Sequence, residues 1–393
     1  MSAAQATYGL KEGIDAALSM IRRKMGEKEG RPVIVEIAGG TGSGKTSEVA
    51  QKIIGALGSD ATALNMDNYY KGLDDRSIEN ISKGIYVNVD TPDTTDIGLL
   101  ARQLSEISEG RSVEMPVFSF KTQKREGYQK FVPGKVVVVE GIFGLNEAIA
   151  KYGDVRIFVS AGTHGRLVRR LIRDMKRTVW APGFILGYFS EIAEPMHQKH
   201  VESTRKYADI VISNEFDAKS ETPRLETREV QLKFRHSITR QELERIGARL
   251  VSEATEHTDR YYSPDEPDLA KTGEIFRVSE SGDRLSVTYK GPLQASGMRR
   301  RPVYEFQIER KVEGSATKLY CNLVKVVKKR RTGYVIDGVN IYVDDVAKVV
   351  GGREQEIGSF VELSYHDEKG IESVMVKMGL DAGKGIRSSY FEM

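Results

Sequence analysis

The spacing of hydrophobic residues changes partway along the chain. Up to about Ile212, short apolar runs alternate with longer stretches in which apolar residues recur at helical spacing. The runs predicted as strands are PVIVEIA, ATALNMD, KVVVVEGIF, VRIFVSA and ADIVIS. Each interval can hold a crossover helix, so the alternation predicts a parallel sheet covered by helices on both faces. Ahead of the first strand, one apolar stripe predicts an amphipathic helix: Ile14, Ala17, Leu18 and Ile21.

Beyond the polar stretch NEFDAKSETPRLET, the hydrophobic period becomes two. The segments predicted as strands are REVQLKF, EIFRVSE, RLSVTYK, VYEFQIE, YCNLVKVV, GYVIDGVNIYV, SFVELSYH and ESVMVKM. Such strands, separated by turn residues, indicate an antiparallel sheet or barrel. One helix is predicted among them, from the capping box that Thr239 and Glu242 form. The sequence thus predicts an α/β domain over residues 1–215, a linker over 216–226 and a mostly antiparallel β domain over 227–393.

Composition narrows the class of protein. Hydrophobic residues make up 39% and charged residues 29% of the 393 residues, as in a folded soluble protein. The formal net charge of +3 is too small to indicate a nucleic-acid partner. The N-terminus lacks the apolar core of a signal peptide, and no apolar run predicts a membrane span. The single cysteine, Cys321, excludes an intramolecular disulfide and favours a cytoplasmic location, while homo-oligomerisation stays open.

The stretch AGGTGSGKT indicates a phosphate-binding loop. Its Gly-x-x-x-x-Gly-Lys-Thr spacing lies between a predicted strand and a predicted helix, which is the context that this loop requires. The glycines let backbone amides surround an anion, Lys45 would neutralise the β- and γ-phosphate oxygens, and Thr46 would bind Mg²⁺. The residues expected to bind ATP are Gly39, Gly40, Thr41, Gly42, Ser43, Gly44, Lys45 and Thr46. The alternative is a glycine-rich turn without a ligand.

Polar residues at the ends of predicted strands extend this site. Asp67 follows the second strand and is placed to accept a proton from a hydroxyl that attacks the γ-phosphoryl group. Glu140 ends the next apolar strand and is placed to hold the magnesium ion. A turn residue and a capping carboxylate are the alternatives. The segment GRLVRRLIRDMKR carries an arginine stripe, which is either a solvated or ion-paired helix face or a lid over the phosphoryl group.

The first half resembles the uridine kinase and phosphoribulokinase group of P-loop kinases. The segments GGTGSGKT, MDNYYKG, VNVDTPDTTD, MPVFSFKTQKR, VVVVEGIFGL, GRLVRRLIRD and RKYADIVI follow that family's order. The resemblance implies that Asp67 is the catalytic base and that Tyr70 and Asp90 contact the acceptor. Its lid arginines would be Arg166, Arg169 and Arg173. Phe118 and Gln123 stand in the segment where uridine kinases read the pyrimidine with a tyrosine and a histidine, so the acceptor is expected to be nucleoside-like or sugar-like.

In the second half, side-chain alternation places charged residues in rows on single strand faces. The rows are Glu229, Gln231 and Lys233; Arg299, Arg301, Glu305, Gln307 and Glu309; Lys325, Lys329 and Arg331; and Ser286, Thr288 and Lys290. A face that mixes cations with carboxylates is costly in a dry core, but it suits a wet tunnel that holds a polyphosphate and its metal. An ordinary charged surface is the equally open alternative.

This half resembles a CYTH domain, the triphosphate tunnel fold, from about Thr227 to Met393. The segments EVQLKF, YYSPDEPDLAKTGEIFRV, LSVTYKGP, RRRPVYEFQIE, KKRRTGY, IYVDDV and IGSFVELS follow in the family's order. By this resemblance, the polyphosphate ligand contacts Lys233, Arg277, Lys290, Arg301, Lys329 and Arg331. The ligands of Mg²⁺ or Mn²⁺ would be Glu229, Glu305 and Glu362. Gln231 falls where the family often has an acid, so hydrolysis and mere sensing of the ligand both stay open.

Three functions compete. The leading one is an ATP-dependent kinase that phosphorylates a small-molecule acceptor. The second is a metal-dependent pyrophosphatase or triphosphatase in the β half, with a regulatory P-loop domain. The third is a regulatory protein that binds nucleotide without turnover. The pair His197 and His200 has no carboxylate or cysteine at metal-ligand spacing, and it is predicted to lie on the surface.

Overall fold

The computed structural model describes residues 7–177, 180–221, 228–293, 299–320, 322–386 and 388–393. These residues form two compact units. The first holds the described residues up to Trp180 together with Phe184–Phe216, and the second holds Ala181–Gly183 and the chain from Asp217 onward. No helix within the described ranges is both long enough and apolar enough to cross a membrane.

The first unit is built on a six-stranded parallel sheet. The strands up to this unit's end are β1 (Thr7–Gly9), β2 (Val33–Gly39), β3 (Ala61–Asn65), β4 (Val113–Ser119), β5 (Lys124–Phe131), β6 (Val136–Glu140), β7 (Val155–Ser160) and β8 (Ile210–Ser213). The sheet has the order β1-β8-β7-β2-β6-β3, with every pairing parallel, and β4 and β5 form a separate antiparallel hairpin. The predicted parallel sheet is therefore confirmed, whereas the pattern did not predict the hairpin or β1.

Helices connect these strands and cover both faces of the sheet. They are α1 (Leu10–Glu27), α2 (Gln51–Leu57), α3 (Asp75–Ser82), α4 (Ile97–Ser108), α5 (Glu147–Ala150), α6 (Thr163–Arg177), α7 (Pro182–Tyr188) and α8 (Glu194–Met196). The predicted amphipathic helix is confirmed, since α1 buries all four residues of its apolar stripe. Alternate residues of β2 enter different cores, because Ile34 packs in one apolar cluster and Val35 in another. Burial on both faces explains why the central strands read as unbroken apolar runs.

The second unit is a closed antiparallel barrel of eight strands. The strands are β9 (Arg228–Arg235), β10 (Arg249–Ser263), β11 (Ile275–Ser281), β12 (Arg284–Lys290), β13 (Arg299–Ile308), β14 (Asn322–Ile336), β15 (Val339–Val350) and β16 (Arg353–Tyr365). Their order is β10-β11-β12-β13-β9-β16-β15-β14, and β14 pairs with β10 to close the ring. The predicted antiparallel barrel is confirmed. Its strand β10 was not predicted, because the first part of that strand is exposed and polar.

The helices of the second unit correct two predictions. They are α9 (Ala218–Glu221), α10 (Arg240–Arg245), α11 (Leu269–Thr272), α12 (Arg310–Leu319) and α13 (Glu368–Met378). The capping box of Thr239 at the start of α10 is confirmed, but the prediction of one helix is wrong. The segment ESVMVKM is also not a strand, because it lies in α13. Asp367 caps that helix and Gly379 ends it at φ +65°. Its buried residues are Ile371, Val374 and Met375.

The segment GYVIDGVNIYV is a hairpin rather than one strand. Asp337 and Gly338 form its turn, with φ values of 50° and 81°, between the end of β14 and the start of β15. An Asp-Gly pair favours this turn, because both central residues need positive φ. The turn therefore folds the two halves of the segment into neighbouring barrel strands.

Candidate functional site

The glycine-rich loop follows β2 and packs tightly against the rest of the first unit. Gly42 has φ +76°, and a Cβ there would lie 2.4 Å from the backbone oxygen of Arg166. Gly44 has φ +83°, and a Cβ there would lie 2.2 Å from the side-chain nitrogen of Asn214. Asn214 in turn donates a hydrogen bond of 2.7 Å to the backbone oxygen of Ser43. The chain at these positions leaves no room for side chains, so the glycines are required by packing as well as by φ.

Thr46 and Glu140 meet at the carboxyl end of the parallel sheet. The Thr46 hydroxyl donates a hydrogen bond of 2.8 Å to the Glu140 carboxylate. Burial raises the pKa of Glu140, while Lys45 and the Thr46 hydrogen bond oppose that rise. A hydroxyl and a carboxylate side by side supply the oxygen ligands that Mg²⁺ prefers, so these two residues fit the metal. When bound, the ion would neutralise negative charge on the phosphates.

Asp67 lies beyond the end of β3, in the short helical turn Met66–Tyr69. The side chain of Asn65 accepts a hydrogen bond of 2.8 Å from the Asp67 backbone amide and holds the turn. Burial raises the pKa of the Asp67 carboxyl, and the positive charges of Lys45 and Arg173 act against that rise. The structure thus brings Asp67 into the electrostatic environment of the phosphate-binding loop. The Asn65 side chain, rather than the Asp67 carboxyl, makes the hydrogen bond that holds this turn.

The residues expected to contact the acceptor are only partly assembled. Burial raises the pKa of Tyr70 well above its ordinary value, and the nearby charges of Asp67 and Asp90 add to the rise. The rings of Tyr70 and Phe118 lie 5.5 Å apart. Gln123 instead lies in the β4–β5 turn, where its side chain donates a hydrogen bond of 2.7 Å to the Phe120 backbone oxygen in the same turn.

Tyr188 is a neighbour of this group that the sequence pattern did not single out. Its hydroxyl donates a hydrogen bond of 2.7 Å to Asp90, and the Arg170 guanidinium lies 5.0 Å from the centre of its ring. Arg170 also forms an ion pair of 3.1 Å with Asp174. Tyr188 therefore orients one of the two carboxylates of the candidate acceptor site. Tyr188 lies at the end of α7 among other aromatic residues, so no sequence pattern distinguished it from an ordinary core residue.

The arginine stripe of α6 divides into two groups. Arg166 is 1% exposed and pairs with Glu194 at 2.5 Å, which fits the alternative of an ion-paired helix residue rather than a solvated one. Arg169 donates to the backbone oxygens of Asn214 at 2.9 Å and Gly42 at 3.4 Å, which ties α6 to the loop. Arg173 is more exposed, and its charge acts on Asp67. Arg166 and Arg169 pack against the phosphate loop, whereas Arg173 forms an ion pair of 2.7 Å with Asp174.

His197 corrects the prediction of a surface histidine pair. It is 5% exposed, and its Nδ1 would lie 2.8 Å from a Cβ placed on Gly40. Burial and the charge of Arg166 together lower the pKa of His197 to about 4. His197 is therefore a neutral side chain packed against the phosphate loop. Its partner in the predicted pair, His200, lies in the same helical segment, His197–Val201, and is half-buried.

The barrel encloses a polar cavity of about 720 Å³. Predicted tunnel residues that line it are Lys233, Arg277, Lys290, Glu305, Lys329, Arg331 and Glu362. Alternation left an inward row and an ordinary surface equally open, and the structure shows that the row members Lys233, Lys290, Glu305, Lys329 and Arg331 face the cavity. Arg301 is buried at 2% exposure but is not among the residues that line the cavity. The side chain of Glu229 lies outside the described part of the chain.

Two buried aspartates that the sequence analysis missed organise the cations of the cavity. Asp259 accepts hydrogen bonds from Lys329 at 2.8 Å and Ser279 at 2.7 Å, and it lies 3.3 Å from Arg277. Although burial opposes ionisation, these cations hold the pKa of Asp259 well below its usual range. Asp344 accepts two bonds from Arg331, at 2.7 and 2.6 Å. Both aspartates lie in segments, TDRYYSPD and IYVDDV, whose alternation could have indicated an inward carboxylate.

The tunnel carboxylates already have cationic partners. Glu362 lies 3.4 Å from Arg331 and 3.6 Å from Lys233, and these charges outweigh burial and hold its pKa low. Glu305 lies 3.5 Å from Arg277 and accepts a hydrogen bond of 3.1 Å from Thr288. Within the described ranges, no three acidic, histidine or cysteine side chains converge on a metal position. Glu305 and Glu362 share one cavity, and the predicted set with Glu229 stays a prediction.

Comparisons with known proteins agree with this architecture. The phosphoribulokinase and uridine kinase family model matches residues 34–219, and the CYTH domain model matches residues 227–390. The uridine kinase of Deinococcus deserti is 35% identical over 184 residues, which cover 46% of this chain and 87% of that protein. Uridine-cytidine kinase C of Dictyostelium discoideum is 24% identical over 396 residues, covering 98% of this chain and 83% of that protein.

A plant relative matches across both units. Inorganic pyrophosphatase TTM2 of Arabidopsis thaliana is 26% identical over 371 residues, which cover 94% of this chain and 52% of that protein. The chain thus spans about half the length of this relative and of a second plant pyrophosphatase, of which it covers 54%. Together with the loop, the sheet and the barrel, these matches show that the chain belongs to the phosphoribulokinase and uridine kinase family and carries a CYTH domain after the kinase-like domain.

Proposed function

We propose that the first unit is an ATP-dependent kinase that transfers the γ-phosphoryl group to a hydroxyl of a nucleoside-like or sugar-like acceptor. The hydrogen bond of 2.8 Å between Thr46 and Glu140, beside Lys45 of the phosphate loop, is the observation that carries the proposal. It joins two oxygen ligands for magnesium at the point where the loop would hold a phosphate chain. The uridine kinases among the relatives support the same reaction class.

Each residue of the proposed site has a separate task. Lys45 and the loop amides bind the phosphate chain, while Thr46 and Glu140 hold the magnesium ion that neutralises it. Asp67 accepts the proton of the acceptor hydroxyl as that oxygen attacks the γ-phosphorus. Arg173, whose charge acts on Asp67, is the lid arginine best placed to stabilise the transferring group.

The acceptor site favours a hydroxylated ring. Asp90 is held by Tyr188 and offers a carboxylate to sugar hydroxyls, while Tyr70 and Phe118 offer aromatic faces to a base or an apolar ring. Gln123 does not reach this group in the structure, so base-specific hydrogen bonds from that position are not part of the proposal. The acceptor class is therefore broader than uridine.

Nucleotide titration and an acceptor panel test the kinase proposal. Lys45→Ala should abolish ATP binding in the presence of magnesium, because the only lysine of the loop is lost. Lys52→Ala is the matched control, since that lysine lies on α2 with 51% of its side chain exposed. ADP release by the full chain is then measured with nucleosides and sugars. Unchanged ATP affinity in Lys45→Ala, or no acceptor-dependent ADP release, contradicts the proposal.

We propose as a second activity that the barrel binds a short inorganic polyphosphate and hydrolyses it with Mg²⁺ or Mn²⁺. The cavity lined by Lys233, Lys329 and Arg331 supports anion binding, and two plant relatives are inorganic pyrophosphatases. Glu305 and Glu362 would contribute to metal binding, together with Glu229. In this reading the kinase-like domain either acts on its own substrate or regulates the barrel.

Phosphate release from pyrophosphate and tripolyphosphate tests the second activity. The full chain carrying Lys45→Ala is used, so that the phosphate loop contributes little. Glu362→Gln should abolish hydrolysis, whereas Glu354→Gln on the same strand should not, because Glu354 is exposed and pairs with Lys328. Binding without hydrolysis by the parent protein indicates a sensor. Absence of both, in protein shown to be folded by circular dichroism, excludes the proposed tunnel function.

A further inference from the structure

A histidine on β10 lies in the wall of the barrel cavity. His257 stands directly opposite Lys329 of β14. Two residues earlier, Thr255 stands opposite Arg331 in the same pair of strands. Residues directly opposite each other in an antiparallel pair share one face of the sheet, and these four side chains all line the cavity. His257 therefore lies among cations that are expected to bind the phosphate chain.

The two cations beside His257 already have carboxylate partners. Lys329 donates a hydrogen bond of 2.8 Å to Asp259, and Arg331 donates bonds of 2.7 and 2.6 Å to Asp344. Both aspartates are 0% exposed, so these ion pairs are part of the wall. A phosphate chain in the cavity adds negative charge beside cations whose charge is already offset. Additional positive charge at this place would therefore stabilise the bound chain.

The hydrogen bond of the His257 ring is compatible with either protonation state. The Thr255 hydroxyl lies 2.9 Å from His257 Nε2, and it also lies 3.5 Å from the backbone oxygen of Arg331. A hydroxyl both donates and accepts, so Thr255 keeps its contact with Nε2 whether or not that nitrogen carries a proton. This contact leaves the second ring nitrogen, Nδ1, as the one that can bind a ligand.

The surroundings of the ring keep it neutral before an anion enters. The charged groups that act on it are Lys329 and Arg331 of β14, Asp259 of β10 and Asp344 of β15. From β11, Arg277 reaches the same group through Asp259, at 3.3 Å. Burial and the two cations of β14 lower the pKa of His257 to about 4, and the two aspartates oppose that change. The negative charges of a phosphate chain beside the ring act in the opposite direction, because they favour the imidazolium form.

We propose that His257 binds the phosphate chain directly and takes up a proton from solvent as the chain binds. This inference rests on the proposed binding of polyphosphate in the barrel. In the bound state, Nε2 donates to the Thr255 hydroxyl and Nδ1 donates to a phosphate oxygen, while Lys329 and Arg331 keep their aspartates. No bond of the phosphate chain breaks in this step. Because one proton is linked to binding, the affinity rises as pH falls toward 4, by no more than about tenfold per pH unit.

The number of protons taken up on binding tests this inference. The full chain carrying Lys45→Ala, as the parent, is titrated with metal-free tripolyphosphate in buffers of different ionisation enthalpy, and binding lost on Arg331→Ala is assigned to the tunnel. The same titration of His257→Gln in this background accounts for protons that tripolyphosphate itself exchanges, because the amide is not protonated. We expect the parent to take up as much as one proton more than His257→Gln. The ratio of the two affinities should rise in favour of the parent as pH falls from 8 to 6.

His236→Gln is the matched control, since His236 is exposed, and it should take up as many protons as the parent. Equal proton uptake and equal pH dependence in the parent and His257→Gln overturn the inference.

Nuclear magnetic resonance of the parent decides if His257→Gln does not bind. The ring signal of His257, identified by its absence from His257→Gln or His257→Asn, should change to the imidazolium position at pH 6 on saturation with tripolyphosphate. A ring that stays neutral in the saturated protein overturns the inference. Lack of tripolyphosphate binding by the parent removes the proposed tunnel function and this inference with it, whereas binding without the additional proton removes the inference alone.

Discussion

Replacing Asp67 by Asn tests whether the half-buried carboxylate near the phosphate loop is the general base. The substitution keeps the size of the side chain and removes its ability to take up a proton. The turn that holds Asp67 depends on the Asn65 side chain and the Asp67 backbone amide, which the substitution leaves in place. We therefore expect an unchanged fold and near-normal ATP affinity.

The expected loss appears in turnover. General-base catalysis contributes roughly two to four decades in rate, equivalent to about 3–5 kcal/mol of transition-state stabilisation. Lys45 and Arg173 act electrostatically on Asp67, so removal of its negative charge also leaves these cations less compensated. These less compensated cations should bind the phosphates of ATP as tightly as before or more tightly. The Michaelis constant for ATP should therefore not rise while turnover falls.

The pH profile gives a second readout of the same carboxyl. Burial raises the pKa of Asp67 above its ordinary value of 3.8, and the base acts only when ionised. Turnover should consequently rise with pH through the raised pKa, and the acidic limb should lie above the range of an exposed aspartate. In Asp67→Asn this limb should disappear from the residual activity.

Steady-state kinetics with the acceptor found in the panel decide the matter. Asp93→Asn is the matched control, because Asp93 is an exposed acid in the neighbouring segment. It should leave both turnover and the pH profile unchanged. A near-normal turnover in Asp67→Asn would refute the base assignment and leave Asp67 as a turn residue. A rise in the Michaelis constant for ATP at constant turnover would instead make it a binding residue.

Two further predictions concern the barrel. Asp344→Asn should lower the free energy of unfolding by about 3–5 kcal/mol, because it removes one partner of a buried ion pair. Urea unfolding measures this loss. Asp345→Asn is the control and should change the free energy of unfolding little, because the Asp345 side chain is exposed. The pKa of His257 is lowered to about 4 by burial and by the cations around it, so stability should decrease as pH falls from 6.5 toward 4, where the unfolded chain binds the proton more readily. His257→Asn should reduce that dependence in thermal unfolding, whereas the exposed His236→Asn should not; equal pH dependence in both variants contradicts the reasoning.

Local signals predicted the elements of the kinase-like unit well. The loop AGGTGSGKT can be recognised from the sequence, because its glycine spacing, the preceding apolar strand and the following helix are all neighbours in sequence. Asp67 and Glu140 were identifiable for the same reason, since each comes at the carboxyl end of an apolar strand and parallel strands present those ends at one edge. The Thr239 capping box likewise depends on residues three apart.

Several features were missed because their signals are not local. ESVMVKM alternates like a strand, but the cap at Asp367 and the stop at Gly379 make it a helix. The buried position of His197 follows from its contact with Gly40, far away in sequence. Tyr188 meets Asp90 only because α7 packs beside that segment. The periodicity of a single segment does not reveal contacts with residues that are distant in sequence.

The sequence alone determined the two-domain architecture, the phosphate loop and the rows of charged residues on single strand faces, but not that those rows point into the barrel. Periodicity, glycine spacing and strand alternation are properties of residues close together in the chain, and they persist in any fold that buries the apolar positions. The pairing of those charges was decided only by closure of the barrel, which brings Asp344 on β15 against Arg331 on β14 and Tyr390 near the chain end. Which carboxylate offsets which cation depends on contacts between distant segments, because electrostatic energies are set by separation in space.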